Sequence, residues 1–372
     1  MGLLYPFDIY LCTMSFFTEK GKPFIIAGPC SAESAEQVHE VAKALQPMQV
    51  HLFRAGVWKP RTRPGSFEGM GEAALQWLKE IKKAYNLAVT IEVATPVHIE
   101  LALKYDIDVL WLGARTTVNP FMVQRLADTL KGVNIPVMIK NPVNPDVDLW
   151  QGAIERIAGA GITDIAAIHR GFSTYNAASA YRNQPNWPIP IELKRRLPDM
   201  PIICDPSHIT GNSALVADIA QKAMDMGFEG LMIETHPNPA LALSDAAQQI
   251  TPAALQQLLA NMPVRTGDNA EPGRGMELEQ LRQVMDGVDA EIIDMLARRM
   301  ELSEKIGYLK KECNMPAYQP ERWNEIVATR GNRADQAGIS REFILELYEK
   351  IHHHSISKQL EILQGLLKAV KS

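Results

Sequence analysis

Residues 24–45 read FIIAGPCSAESAEQVHEVAKAL, and the way this stretch divides decides the fold. FIIAGP is a short apolar run closed by Gly-Pro, the signature of a buried strand, whereas AEQVHEVAKAL carries its apolar residues at helical spacing. The same alternation recurs outward along the chain. HLFRAG (51–56), AVTIEV (88–93), VLWLGA (109–114), PVMIKN (136–141), DIAAIHR (164–170), PIICDP (201–206) and GLMIET (230–235) are seven further β-rich runs. Amphipathic segments such as AALQWLKEIKKAY (73–85) and PFMVQRLADTL (120–130) lie between them. Eight βα units in about 250 residues is the size and pattern of a (β/α)8 barrel. An open doubly wound sheet is the competing arrangement, but no GxGxxG phosphate-binding turn follows the first strand. The expected architecture is α/β plus all-α: a closed TIM barrel followed by a helical domain.

Proline marks where the first part ends. Residues 1–262 hold 20 of the 24 prolines, while residues 277–372 hold only Pro316 and Pro320, so long uninterrupted helices are allowed there. Residues 263–276, which include VRTGDNAEPGRGM, have no apolar period and read as a linker. The terminal domain reads as three helices: a long one through residues 278–312, a shorter one over Glu321–Arg330, and a third beginning after Ser340, an N-cap. The first is too long to bury its stripe alone and needs its neighbours or a second copy.

With 38 Lys and Arg against 43 Asp and Glu, the net charge is −5, so no general basic field recruits nucleic acid or an anionic membrane. Four cysteines without a CxxC pair fit a reducing cytoplasm. MGLLYPFDIYLCTMSFF has no basic leader or cleavage site, and no later apolar run is long enough for a bilayer, so neither export nor a membrane span is expected.

Barrel chemistry gathers at the C-terminal strand ends. There, strand 1 gives Cys30, the loop after strand 7 gives Asp205, Ser207 and His208, strand 8 gives Glu234, and the loop beyond it Asp245. Strands 7, 8 and 1 are neighbours in a closed barrel, so Cys30, His208, Glu234 and Asp245 can meet. One thiolate, one imidazole and two carboxylates suit a borderline divalent ion of the Mn, Zn, Fe or Co class. Cys204, inside strand 7, reads as core. The other strand ends carry cations: Arg54, Lys59, Arg115, Lys140 and Arg170. Five at one rim of an acidic protein point to a polyanionic ligand. Lys59 opens KPRT, which adds Arg61 and Thr62 as a seat for a second phosphate. Glu92, ending strand 3, reads either as a proton carrier among cations or as a structural salt-bridge partner.

AGPCSAES, RAGVWKPRTRP, LGAR, IKN, HRGF, DPSH and IETHPNPALALSD occur in this order. Together they resemble the 3-deoxy-D-arabino-heptulosonate 7-phosphate (DAHP) synthases, in particular their short subgroup. The resemblance implies condensation of phosphoenolpyruvate with erythrose 4-phosphate and one divalent ion per barrel on Cys30, His208, Glu234 and Asp245. It also implies phosphoenolpyruvate on Arg54, Lys59, Arg115, Lys140 and Arg170, and the erythrose phosphate on Arg61 and Thr62. Lys140 and Glu92 are expected in proton transfer, and Lys59 among the catalytic groups. His169 receives no role. Condensation with another sugar aldehyde is the competing chemistry, against which KPRT and the helical domain argue.

In the first long helix Arg299 and Lys310 are eleven residues apart, so they share a face at roughly 16 Å between Cα atoms and can converge on a small dianion. Arg282 is rotated off that face and, if it serves such a site, serves a partner's. LRxxxxxVD, ARR, IGYLKK, QPERW and HSISKQ resemble the all-helical chorismate mutases over residues 277–364. This implies an interlocked homodimer, with Arg282 crossing over and Arg299, Lys310, Arg322, Ser355 and Gln359 completing the site. Lys310 and Gln359 are expected at the substrate's ether oxygen and Arg282 and Arg299 at its carboxylates. Trp323 and Gln319 stand where the family often has Glu and Asp. His352, His353 and His354 are read as surface. The alternative for this domain is a regulatory and dimerising module that binds prephenate or chorismate.

Overall fold

The computed structural model describes residues 16–19, 21–59, 65–173, 179–265 and 274–365. Cys12, Arg61, Thr62 and most of the expected linker lie outside the described residues. The chain forms two compact units, Met1–Thr266 and Gly267–Ser372.

In the first unit the strands are β1 (Phe24–Gly28), β2 (Leu52–Arg54), β3 (Val89–Val93), β4 (Val109–Leu112), β5 (Val137–Lys140), β6 (Ile165–His169), β7 (Ile202–Cys204) and β8 (Gly230–Glu234). They pair in sequence order, all parallel, into a closed barrel. The ring closes between β1 and β8, in register from Phe24 opposite Gly230 to Gly28 opposite Glu234. Among the described residues ten α-helices accompany them: α1 (Ala35–Leu45), α2 (Glu72–Tyr85), α3 (Pro96–Lys104), α4 (Ala114–Thr117), α5 (Pro120–Leu130), α6 (Val147–Gly159), α7 (Pro188–Arg196), α8 (Pro206–Thr210), α9 (Val216–Asp225) and α10 (Pro252–Asn261).

Both strand faces are covered, which is why the strands read as apolar runs rather than as alternating ones. One face joins the layer between sheet and helices, as with Phe53, Ile91, Ile139 and Ile233. The other fills the barrel with Ile26, Leu52, Trp111, Met138, Ile203 and Met232. Phe17 joins this interior and stacks edge-on against Phe24 at the N-terminal strand end, plugging that mouth. α1 starts where a short polar side chain caps it: Ser34 Oγ accepts the Gln37 N–H. Val38, Val41, Ala42 and Leu45 then form the buried stripe of α1, each large aliphatic side chain contributing about 1.5–3 kcal/mol.

The second unit has three helices, α11 (Arg274–Glu312), α12 (Pro320–Gln336) and α13 (Arg341–Leu363). Ser340 caps α13 as expected, accepting the Phe343 N–H. The middle helix runs beyond the expected Arg330, because Gly331 lies inside the fold against the Arg341 guanidinium and the chain turns only at Gly338, with φ +69°. Gly307 lets α11 and α13 cross closely: a Cβ there would meet Ile362 at 2.9 Å and Gln359 at 3.3 Å. No helix among the described residues is long and apolar enough to cross a membrane.

Candidate active sites

Strand alternation carries charge to the top of the barrel. Two residues beyond the interior side chains Leu52, Met138 and Met232, on the same inward face, stand Arg54, Lys140 and Glu234, and Glu92 and Trp111 face each other in register on β3 and β4. Arg54 Nη2 donates to Glu234 Oε1 at 3.0 Å with both side chains buried, and Gln248 Nε2 donates to Glu234 Oε2 at 2.7 Å. Arg54 Nε and Nη1 are buried without a partner among the described residues, so this guanidinium still offers two donors. Lys140 Nζ donates to Asp205 Oδ2 at 2.8 Å, an oxygen that also lies 2.8 Å from His208 Nδ1.

Cys30, His208, Glu234 and Asp245 converge from β1, the turn after β7, β8 and the loop beyond it. Cys30 Sγ donates to Asp245 Oδ2 at 3.3 Å and accepts from Lys59 Nζ at 2.9 Å. His208 Nε2 stands 3.8 Å from Glu234 Oε1. Burial, reinforced by the Glu234 charge, pushes the Cys30 thiol up to about 12. Burial also acts to raise Asp245, but Lys59, His208 and Arg182 outweigh it and hold that carboxyl below the usual range. Glu234 is lowered in the same way by His208, Arg54 and Lys59 against its burial. His208 is lowered by burial first and by Lys140, leaving a neutral ring suited to ligation. By donor chemistry the four residues fit a borderline divalent ion. Among the described residues, no three such side chains close on one point as a coordination shell.

Several neighbours of this site escape sequence reading. Arg182 Nη1 donates to Asp245 Oδ1 at 2.9 Å and to Gln248 Oε1 at 2.8 Å, from a loop with no periodic signal. Asn141 Oδ1 accepts the Arg170 N–H at 2.7 Å, and Arg170 Nη1 donates to Asn183 Oδ1 at 2.9 Å. Burial brings Arg170 down to about 10. Arg115 sits on α4, exposed at its surface. His169 points outward into a box of Trp150, Phe172, Trp187 and Phe228, where burial, then Arg170, lowers it to about 3.

In the helical unit a cavity of about 630 Å³ lies between the three helices, lined by Arg299, Lys310, Arg322, Ser355 and Gln359 among others. Lys310 Nζ donates to Gln359 Oε1 at 3.0 Å and to the Ala317 carbonyl at 2.5 Å, and Arg299 Nη1 donates to Ser355 Oγ at 2.5 Å. Burial lowers both Lys310 and Arg299, the latter also through Arg330 and Arg322. Arg282 does not line this cavity among the described residues; it is 66% exposed and pairs weakly with Glu279. His353 and His354 are exposed, but His352 is not a surface residue: it stacks on Trp323 at 4.5 Å, lines the cavity and buries its Nε2. The reason is spacing, since His352, Ser355 and Gln359 stand at i, i+3 and i+7 on one face of α13.

Residues 14–266 match the model of the DAHP synthetase I family, and residues 281–360 that of chorismate mutase type II. The phospho-2-dehydro-3-deoxyheptonate aldolase of Thermotoga maritima is 33% identical over 238 residues, covering 64% of this chain and 68% of that protein. A crystal structure of the enzyme from that organism superposes with a TM-score of 0.59 at 31% identity, over 66% of this chain and 69% of the other. A truncated form of the same organism's 3-deoxy-D-arabino-heptulosonate 7-phosphate synthase gives 0.56 at 28% identity, over 66% and 87%. The 2-dehydro-3-deoxyphosphooctonate aldolase of Azoarcus sp. is 28% identical over 264 residues, 64% of this chain and 89% of that one. With a buried polar constellation at the barrel's strand ends and a cationic cavity between three helices, the chain belongs to the DAHP synthetase I family and carries a chorismate mutase type II domain, a transferase and an isomerase of the shikimate pathway.

Proposed function

We propose that the barrel condenses phosphoenolpyruvate with erythrose 4-phosphate to DAHP and phosphate, and that the helical unit converts chorismate to prephenate. The observation that carries the first activity is the convergence of Cys30, His208, Glu234 and Asp245 beside Arg54, whose two buried donors lack a partner among the described residues. One divalent ion of the Mn, Zn, Fe or Co class, held by those four residues, supplies Lewis acidity toward the aldehyde oxygen when bound. Arg54, Lys59, Arg115, Lys140 and Arg170 grip the phosphate and carboxylate of phosphoenolpyruvate and aim its enol carbon at the aldehyde carbon. Arg61 and Thr62 seat the second phosphate. A carbon–carbon bond forms, water adds at C2 and phosphate leaves, with Lys140 and Glu92 moving the protons.

In the helical unit the reaction is internal to one substrate, so the residues need only hold its compact conformer and stabilise charge developing on the ether oxygen. Lys310 and Gln359 face that oxygen. Arg299, Arg322 and Ser355 hold the ligand from the same chain, and Arg282 of the partner subunit closes the site. A homodimer is supported by the apolar flank of α11, where Leu281, Val284, Met285, Val288 and Ile292 are 49–66% exposed. The free thiols of Cys30, Cys204 and Cys313 support a reducing cytoplasm. A second reading is that prephenate bound at this unit changes the condensation rate, which requires only that it bind two states of the chain unequally.

The deciding assay supplies phosphoenolpyruvate with either erythrose 4-phosphate or arabinose 5-phosphate, with and without chelator. Turnover of the four-carbon sugar only, abolished by chelation and restored by Mn, is expected; full activity with chelator present, or preference for the five-carbon sugar, overturns the barrel reading. For the helices, chorismate absorbance is expected to decay. Condensation kinetics unchanged by saturating prephenate would count against regulation.

A further inference from the structure

Trp111 is the one aromatic side chain from the eight strands that joins the barrel interior above the plug formed by Phe17 and Phe24. Its neighbours there are aliphatic or sulfur-bearing, as packing alone demands. An indole in such a place must also satisfy its N–H. It does so on Glu92: Nε1 donates to Oε2 at 3.1 Å. The same ring lies 5.2 Å from the Arg54 guanidinium carbon and 5.8 Å from Lys140 Nζ. One indole therefore touches three of the groups given above to substrate and proton transfer.

Glu92 is held from its other side as well. Gly113 follows Trp111 by two residues, and a Cβ built there would stand 2.1 Å from Glu92 Oε1, so the carboxylate occupies the space a side chain would take. Among the described residues Glu92 forms no ion pair, leaving the indole N–H as its fixed contact. A carboxylate fixed by a neutral donor keeps its lone pairs available to a reacting group, whereas one locked to Arg54 or Lys140 would not.

We propose that Trp111 is the positioning residue of the barrel site: its N–H orients the Glu92 carboxylate, and its ring face sets the height at which Arg54 and Lys140 meet the anionic substrate. The proposal rests on the condensation reading above. A shift of about 1 Å in a reacting group can cost on the order of a hundredfold in rate, so losing the N–H acts on turnover. Losing the ring removes one contact from each of two cations and acts on binding.

Two substitutions separate these roles. Trp111→Phe keeps a ring and deletes the donor, so kcat falls about 10–100-fold while KM for phosphoenolpyruvate stays within about twofold. Trp111→Gln keeps an N–H donor and deletes the ring, so KM for phosphoenolpyruvate rises about tenfold with kcat largely retained. Gly113→Ala leaves the indole in place but intrudes on Oε1, and repeats the Phe pattern; it serves as the third arm if either Trp111 variant fails to melt cooperatively. A crossed pattern of kcat and KM supports the proposal. Equal losses in both constants for all folded variants, or no loss, overturn it while leaving the condensation reading intact. An unsubstituted chain that does not condense phosphoenolpyruvate overturns both.

Discussion

The barrel and the helical unit solve the burial problem differently. In the barrel each strand is covered on two faces, and its mouth buries ion pairs such as Arg54 with Glu234 and Lys140 with Asp205. Buried pairs like these hold when every donor and acceptor around them is placed by a rigid frame. In the helical unit, α11 spans 39 residues, and its N-terminal half keeps Val284, Met285 and Ile292 more than half exposed. A closed barrel can finish a site within one chain, whereas the proposed helical site draws Arg282 from a second copy. The largest expected effect follows from this contrast. Cys30→Ala removes the soft donor from the proposed ligand set, so condensation is expected to drop on the order of a thousandfold or more, with no rescue by excess Mn. Chorismate turnover by the same variant stays within about twofold of the unsubstituted chain, because that site shares no residue with the barrel. Parallel loss of both activities would break the contrast.

Arg299→Ala is the converse, lowering chorismate turnover on the order of 10²–10³-fold and sparing condensation. Subunit mixing sharpens it. Arg282→Ala and Arg299→Ala chains are each expected to be nearly inactive as mutases, but mixed dimers restore one intact site of two if Arg282 crosses over. Random exchange at equal concentrations then recovers about a quarter of the original activity. Val288→Glu, placing a charge on the exposed flank of α11, is expected to halve the particle mass in light scattering and suppress this complementation. Mixtures without recovery would mean that each chain completes its own pocket.

How much of this was legible in the sequence differs between the two units. In the barrel the alternation of short apolar runs with 3.6-period segments carries the fold, and polar residues such as Arg54, Lys140 and Glu234 stand together at the strand ends because β-structure dictates where a terminal residue points. Trp111 was not legible as anything but core, since its role depends on Glu92 across a strand pairing that no local pattern states. Arg182 reaches Asp245, and Gln248 reaches Glu234, from segments whose conformation has no period to read. Among the helices, the expected end at Arg330 stops short of the observed one, because Gly331 lies within the helix where Arg341 packs. His352 was hidden in a triplet that looks like a surface run, although its spacing to Ser355 and Gln359 was already the better signal.

The smallest effect concerns Lys310, and it tests whether the helical pocket is dry enough to act electrostatically. Lys310 is nearly buried, with its ammonium on Gln359 and the Ala317 carbonyl and no carboxylate bonded to it among the described residues. Burial disfavours the charged form and lowers its pKa below the ordinary lysine value. In the proposed role the charged form is the one that stabilises the ether oxygen, so activity is expected to be full at lower pH and to fall as pH rises through this lowered value. The kcat/KM profile for chorismate is therefore expected to bend down at a pH below that of an ordinary lysine. Lys310→Arg carries a guanidinium that keeps its proton, so its lower activity should persist to higher pH with the bend displaced upward. A bend that stays in place in that variant would assign the titration to another group and leave Lys310 as a hydrogen-bonding residue only.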